Sequence, residues 1–343
     1  MENTNIILMT LDERSIEQQV HVYRSAFEPT SSVEDNISTW RKKHYENPLG
    51  KSIIIGAFIG NQLVGMNAYM PVEYFLNGER IKMLQSCESG VLPTCQGKGI
   101  WKKVVTYAMN YITQETEYKL VIGFPNYINS YPGFKKMGWA TVSDMKNYVM
   151  INNLSAIKVL YKKKSGVFRF FVNGIILQRA LVNLCVPRKN YYAKIIPVDQ
   201  MIWNSYKENT LECSHSDVLM RWKVYYKGVK TVGIEHGGRT VATCLYSFST
   251  YNECPIIKIE GFHCMTDFLN KEKQLLSCVL LFFAKAYPEV AFIRVWVQRG
   301  TGQDSLFKSL LFACSSHPNP FIINNPQSVY SEMKWSLSFF DLD

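Results

Sequence analysis

The chain of 343 residues is 47% hydrophobic and 19% charged, which excludes a disordered or fibrous polymer and leaves room for two domains of ordinary size. Nine cysteines without a Cys-x-x-Cys or a His-x3-His partner exclude a zinc finger and a disulfide framework; no metal is expected, and the odd number suits a reducing cytosol. The formal net charge of +10 suggests an acidic partner (nucleic acid, an anionic membrane surface or a phosphorylated ligand), and with no zinc finger, aromatic RNA-binding signature or basic heptad region, nucleic acid is not expected.

NIILMT (5–10) predicts a strand and RSIEQQVHVYRSAFE (14–28) a helix, with Ile16, Val20, Tyr23 and Phe27 on one stripe. After the polar TSSVEDN and then WRKKHYENP, two strands, SIIIGAFI and QLVGMNAYMPVEYF, flank the turn signal Gly60-Asn61. Asn77-Gly78 turns the chain into a long strand, ERIKMLQSCESGVL (79–92), which Pro93 ends. Trp101, Val104, Val105, Ala108, Met109 and Ile112 then recur at helical spacing, with Lys102, Lys103, Asn110 and Gln114 facing outward. A strand YKLVIGF (118–124), a short helical stretch in NYINSYPGFKKMGW and a final strand TVSDMKNYVMI complete this half. The order predicts a mixed α/β fold, a largely antiparallel sheet with one strand, helix, strand crossover.

Between the long strand and the helix lies VLPTCQGKGIWKKV (91–104). First-turn amides of a helix have no internal partner and sit at the positive end of its dipole, so a loop that delivers a strand to such a helix makes an anion seat. Gly97 and Gly99 let backbone approach a ligand and Lys98 adds charge, which suits a pyrophosphate. A lone Gly-x-Gly is equally compatible with a plain turn. The sequence has no Gly-x4-Gly-Lys-Ser/Thr, and no Gly-x-Gly-x-x-Gly opening a parallel sheet, which excludes the two commonest phosphate loops.

Val91-Leu92-Pro93 followed by Gln96-Gly97-Lys98-Gly99-Ile100, together with Asn126, Phe134, Gly138 and Trp139 one strand and one helix later, resembles the GNAT superfamily of acyl-CoA-dependent N-acyltransferases over residues 5 to 150. The resemblance implies that the pyrophosphate lies on the amides of Gly97, Lys98, Gly99, Ile100 and Trp101, with Gln96 and Asn126 in the same motifs. It also implies that the pantetheine arm pairs like an extra strand with backbone near Ser89 to Val91, where an amide would polarise the thioester carbonyl. Two positions depart from the family pattern. The small residue closing the loop motif is Trp101, as in a subgroup of two-domain acyltransferases, and the position of a frequent general-acid tyrosine holds Phe134.

Acyl transfer to an amine needs a base for the amine and benefits from an acid for the departing thiolate. Glu88 is the carboxylate of the long strand nearest the loop and is the candidate base, against the plain reading of a solvated or structurally bonded side chain. Tyr131, one helical turn before Phe134, is the candidate acid, against the reading of a packed aromatic.

From 156 to 192, Lys162 to Lys164, Arg169, Arg179, Arg188 and Lys189 alternate with Phe, Ile and Leu, as in a helix packed between two domains or in one lying on an anionic membrane. Beyond it the first-half order recurs. LMRWKVYY (219–226) echoes TWRKKHYE (39–46), TVGIEH and TVATCLYSF straddle Gly237-Gly238, and IIKIEGFHCM (256–265) reads as the long strand. A helix over 268–286, a crossover strand AFIRVWV, a helix SLFKSLLFAC and closing strands FIINN and SEMKWSLSFF follow. MTDFLNKEK replaces the glycine loop, so this degenerate copy is expected not to bind CoA but to supply the acceptor side. Glu260, His263 and Cys264 share its long strand without a pattern that makes a nucleophile, and His44 and His236 have no partner legible in the sequence.

The domain reading is therefore 1–152 for acyl-CoA, 153–195 as a basic amphipathic linker and 196–343 for the acceptor. The expected activity is N-acyl transfer, acetyl-CoA being the expected donor, to a small amine, an amino sugar of a surface polysaccharide ahead of a polyamine or peptide. The rivals are a non-catalytic acyl-CoA-binding scaffold and a cell-envelope aminoacyl transferase. The first residues show no basic run into a long apolar core, and LLSCVLLFFA (275–284) is too short to span a bilayer, so the expected location is cytoplasmic, with the inner membrane face as a variant.

Overall fold

A computed structural model describes residues 5–27, 31–118, 120–152, 177–187, 190–203, 208–251, 254–315, 318–325 and 327–341. Most of the predicted basic helix, 156–176, lies outside them, as do Arg188 and Lys189.

The first half runs β1 (Ile6–Leu11), α1 (Ile16–Phe27), α2 (Val33–His44), β2 (Ile53–Ile59), β3 (Gln62–Leu76), β4 (Glu79–Val91), α3 (Ile100–Glu115), β5 (Val121–Gly123), α4 (Tyr131–Lys136) and β6 (Ala140–Ile151). The polar stretch before WRKKHYENP enters a helix at Val33: Ser32 Oγ accepts from the Asp35 amide and caps α2. Asn77 and Gly78, both at positive φ, make the β3–β4 turn. On α3 the buried stripe is Ile100, Val104, Val105, Ala108 and Ile112, which packs the helix on the sheet and leaves Trp101 half-buried at its edge. Strands β4 and β5 are parallel, as the crossover requires.

The second half has a helix α5 (177–185), β7 (Tyr192–Ile195), β8 (Thr210–Cys213), α6 (Asp217–Lys227), β9 (Lys230–His236), β10 (Arg239–Tyr251), β11 (Cys254–Cys264), α7 (Glu272–Ala286), β12 (Phe292–Gln298), α8 (Gly302–Ser309), β13 (Ala313–Cys314), β14 (Asn319–Ile323) and β15 (Lys334–Ser336). The main sheet path is β1-β2-β3-β4-β5-β14-β6-β12-β11-β10-β9-β7, so the pairing order β1 to β5 reappears in mirror sequence as β7, β9, β10, β11, β12. The second parallel pair is β11 with β12.

The predicted closing strands take unexpected places. FIINN forms β14, but it lies between β5 and β6 of the first half. Residues 145–151 of β6 in turn lie against β12, with β13 pairing β6 at Val149 and Tyr148. Each half thus receives the strand next to its crossover strand from the other. SLFKSLLFAC is helical only to Ser309, and Ala313–Cys314 is already strand. SEMKWSLSFF shortens to β15, which runs parallel to β8 rather than entering the main path.

The exchanged β6 is tied to its host by Asp304 at the start of α8. This carboxylate accepts from Tyr148 Oη at 2.5 Å, Lys308 Nζ and the Gly300 amide at 3.0 Å, and Lys146 Nζ at 3.4 Å. Burial acts to raise its pKa, but these donors outweigh it and hold the group below the ordinary carboxylate range. Tyr148→Phe removes a buried hydrogen bond to a charged group and is expected to cost about 1.5–3 kcal/mol in urea unfolding. An unchanged midpoint would mean that the bond contributes nothing to holding the exchanged strand.

Candidate active site

The site is built by two failures of regular pairing in β4. On one side, parallel pairing with β5 stops at Ser86↔Gly123, and the strands part beyond it. On the other, the register with β3 passes from Ala68↔Cys87 to Met66↔Gly90, so Glu88 and Ser89 oppose Asn67 alone. This is a β-bulge, and Glu88 sits in it at φ 39, a left-handed conformation rare for a residue with a side chain. The bulge bends the end of β4 and leaves a wedge between β4 and β5, with backbone of 87–91 along one wall.

The glycine loop lies at the mouth of the wedge. Pro93–Cys95 form a 3-10 turn, and Gly97 and Gly99 take φ 76 and 71. Gly99 is the N-cap of α3, so the amides of the first turn point out of the helix without an intrahelical acceptor. A Cβ at either glycine would meet no protein atom within 4 Å, so the space beside the loop is open. Lys98 and Gln96 are exposed, and Gln96 Nε2 donates to the Val91 carbonyl at 3.2 Å, which ties the loop to the end of β4. Arranged thus, the amides from Gly97 to Trp101 can hold a diphosphate.

At the bulge, Glu88 is gripped by α2. Lys43 Nζ donates to Glu88 Oε1, and His44 Nε2 lies 3.4 Å from Oε2. His44 is fully buried, its Nδ1 pairs with Ser52 Oγ at 2.9 Å, and its ring lies against Trp40. Burial works to raise the Glu88 carboxyl, but the Lys43 charge and the His44 contact outweigh it and hold the group well below the usual range.

The two departures from the family pattern touch each other. Trp101 packs edge-on against Phe134 at 4.9 Å, and its Nε1 donates to Ser89 Oγ at 2.6 Å. A methyl group at Gly133 would lie 2.5 Å from the indole, so only glycine admits the ring there. Phe134 is buried. Tyr131 stacks on Tyr127, and its hydroxyl pairs with Thr141 Oγ1 at 2.9 Å. Asn126 is exposed, and its Oδ1 accepts from the amides of Ile128 and Asn129, which shapes the turn into α4.

Lys43 and His44 are the residues that sequence reading misses. The signal was their spacing from Trp40: three and four residues on, the same face as a buried tryptophan. His236 also has partners, the Asn190 carbonyl at 3.0 Å and the ring of Tyr191. A second buried polar group lies within the second half, where Asp341 is 3.5 Å from His215 Nε2 and 3.9 Å from Lys223 Nζ, and Lys223 Nζ lies beside Cys213. Burial pushes the Cys213 thiol up to about 12. The thiol of Cys264 is likewise raised by burial.

Residues 8–142 match the model of the acetyltransferase (GNAT) domain, and this stretch of the chain belongs to the GNAT superfamily. No curated protein matches the sequence significantly. Among solved structures, a protein of unknown function from Enterococcus faecalis, described as a probable N-acyltransferase, is 11% identical with a TM-score of 0.62, covering 93% of this chain and 72% of its own. A GCN5-related N-acetyltransferase from Anabaena variabilis is 10% identical, TM-score 0.58, with 94% and 73% covered. The N-myristoyltransferase of Saccharomyces cerevisiae with bound myristoyl-CoA is 12% identical, TM-score 0.61, with 94% and 83% covered. At such identities these likenesses establish the fold, which extends over nearly the whole chain. Domain and fold together are those of an acyltransferase that uses acyl-CoA. No described helix is long and apolar enough to cross a membrane.

Gly99→Val places a branched side chain in the open space beside the loop and in a backbone conformation that disfavours it. CoA binding measured by calorimetry is expected to be lost while the far-UV spectrum is kept. Wild-type affinity would reduce the loop to a turn.

Proposed function

We propose that the protein transfers an acyl group, in the simplest case acetyl, from acyl-CoA to the amino group of a small acceptor, with an amino sugar of a surface polysaccharide ahead of a polyamine or peptide. The observation that carries this reading is the wedge between β4 and β5 with the left-handed glycines and first-turn amides of α3 at its mouth. In this reading the pyrophosphate rests on the amides of 97–101, and Ser89 to Val91 offer backbone to the pantetheine arm, along the edge that β5 leaves. The thioester supplies the activated acyl group.

Residues 1–152 are the acyl-CoA side in this reading, 153–195 a basic connection suited to an anionic membrane by its charge, and 196–343 the acceptor side. The loop equivalent to 93–99 in the second half supports the division. There Thr266–Lys271 form a 3-10 turn and Lys271, not a left-handed glycine, precedes α7.

Glu88 takes the proton of the acceptor ammonium, through water where the amine is not in direct reach. Its proton affinity is lowered by Lys43, so it passes protons on rather than storing them. Tyr131 is a candidate donor to the departing thiolate, on condition that its hydroxyl leaves Thr141. The scaffold alternative, CoA binding without turnover, keeps the support of Phe134, which has no proton to give.

Incubation with acetyl-CoA and a panel of amino sugars, with thiol release followed, tests the reading; an absence of both turnover and CoA binding would sink it. Binding without turnover on any amine would favour the scaffold. Glu88→Gln is expected to keep CoA affinity and to lose about 10²-fold or more in turnover at neutral pH, a loss that shrinks as pH rises and more amine is already neutral. A turnover-pH profile between pH 6 and 9 that matches the wild type would remove Glu88 from the proton path.

A further inference from the structure

A phenyl ring at position 134 leaves that position without a phenol, and the indole beside it holds a hydroxyl, that of Ser89, by its lone pair. Resting on the acyl-transfer reading above, we propose that Ser89 is the hydrogen-bond donor to the sulfur leaving group, oriented by Trp101.

Ser89 follows the bulge residue directly, on the stretch of β4 that has parted from β5. A serine hydroxyl has one proton and two lone pairs. The Trp101 N–H fills one lone pair at 2.6 Å, and an indole N–H only donates, so the hydroxyl proton is directed elsewhere. Among the described residues it reaches no acceptor. Ser89 is only partly buried, so a ligand in the wedge has access to it.

Trp101 cannot easily let go. Its ring lies on Gly133, where even a methyl would stand 2.5 Å away, and it is braced edge-on by Phe134 at 4.9 Å. Ser86 Oγ accepts from Asn67 Nδ2 at 3.1 Å but lies where β4 is still paired with β5, before the wedge opens, and Tyr131 pairs with Thr141 at 2.9 Å. The large residue at 101 and the missing hydroxyl at 134 thus become one device. The indole that replaces a small residue reaches across the face of α4 and holds a serine where the tyrosine hydroxyl is lacking.

Chemically the demand on Ser89 is modest. The amine lone pair forms the C–N bond, the C–S bond breaks, and its electron pair goes to sulfur. The amine proton leaves by Glu88 to water, and the thiolate takes a proton from water, so acetyl-CoA and amine give amide and CoA thiol with nothing left over. Serine is too weak an acid to surrender its proton, but a hydroxyl polarised by a donated N–H makes a strong bond to an anionic acceptor.

Such a bond has a readout that needs no acceptor. The thiol of bound CoA is expected to ionise at lower pH in the wild type than in Ser89→Ala, by about one unit, because hydrogen bonding to a charged form favours it. Thiolate absorbance of the complex, taken as a difference against the complex with desulfo-CoA, measures this. Trp101→Phe is expected to shift the same titration upward by a smaller amount. Phe134→Tyr in the Ser89→Ala background is expected to bring back part of the lost turnover by restoring a phenol. Equal thiol titrations in wild type and Ser89→Ala, with CoA bound by both, would overturn the role of Ser89 and leave the acyl-transfer reading intact. A shift in Tyr131→Phe instead would hand the role to Tyr131. A wild-type protein that binds no CoA overturns both.

Discussion

The structure turns on the bulge at Glu88. A glutamate at φ 39 costs of order 1–3 kcal/mol, and it persists because its carboxylate is held by Lys43 and His44 of α2. Without that grip β4 would relax toward regular pairing, and Ser89 would turn to the other face, since a one-residue slip reverses every side chain that follows. The wedge, the exposed backbone of 87–91 and the bond from Trp101 to Ser89 all depend on this one residue. The second half makes the comparison from within. Its long strand β11 also carries an extra residue, Glu260, between the pairs Leu245↔Gly261 and Tyr246↔Ile259. There the carboxylate accepts from Ser247 Oγ at 2.5 Å, and among the described residues Glu260 is not left-handed. The bulge and its glutamate recur; the cationic grip and the glycine loop do not.

The exchange of strands explains how two such halves make one body. β5 has only three residues and pairs with β14, a strand made nearly two hundred residues later in the chain, while β6 reaches past its own half to β12. Val121 even takes its amide partner from Asn324 Oδ1 at 2.8 Å. A cut at residue 152 would therefore leave β5 without the strand that covers its outer edge, and the wall of the wedge would lose its backing. The acyl-CoA side is a local reading of sequence but not a local unit of stability.

What was legible in the sequence follows the same line. Elements bounded by turns and by hydrophobic period were readable: Gly60-Asn61, Asn77-Gly78 and Gly237-Gly238 mark hairpins, and the 3.6 period of α3 places its buried face. The anion seat was readable because its chemistry lies in one contiguous loop. The closing strands were read as part of the second copy, and the place of FIINN between β5 and β6 was not legible, since it has the same alternation whichever edge it joins. The partners of Glu88 were hidden for a similar reason. Lys43 and His44 lie more than forty residues upstream, in a stretch whose charges resemble a solvated helix face until the burial of Trp40 is known. Ser89 was read for its backbone alone; its side chain acquires meaning only once Trp101 is seen to reach it.

The grip of Lys43 on Glu88 also constrains the chemistry. A carboxylate held below its usual range takes a proton from an ammonium uphill, so a protonated Glu88 is a short-lived species at neutral pH. In the proposed reaction such a group suits a relay, with the proton passing on to water and the carboxylate restored for the next acceptor. The cost is a lower driving force for each transfer. What is gained is geometric: the ion pair that lowers the affinity is the one that keeps the bulge in place, so the two effects cannot be tuned separately. Removing Lys43 to make a stronger base would leave a buried carboxylate short of its cation, at about 3–5 kcal/mol, on the residue whose conformation opens the wedge. If Glu88 serves as the proposed base, its strength is fixed by the fold, and the freedom left to the proposed reaction lies on the leaving-group side, where Trp101 and Phe134 differ from the family pattern.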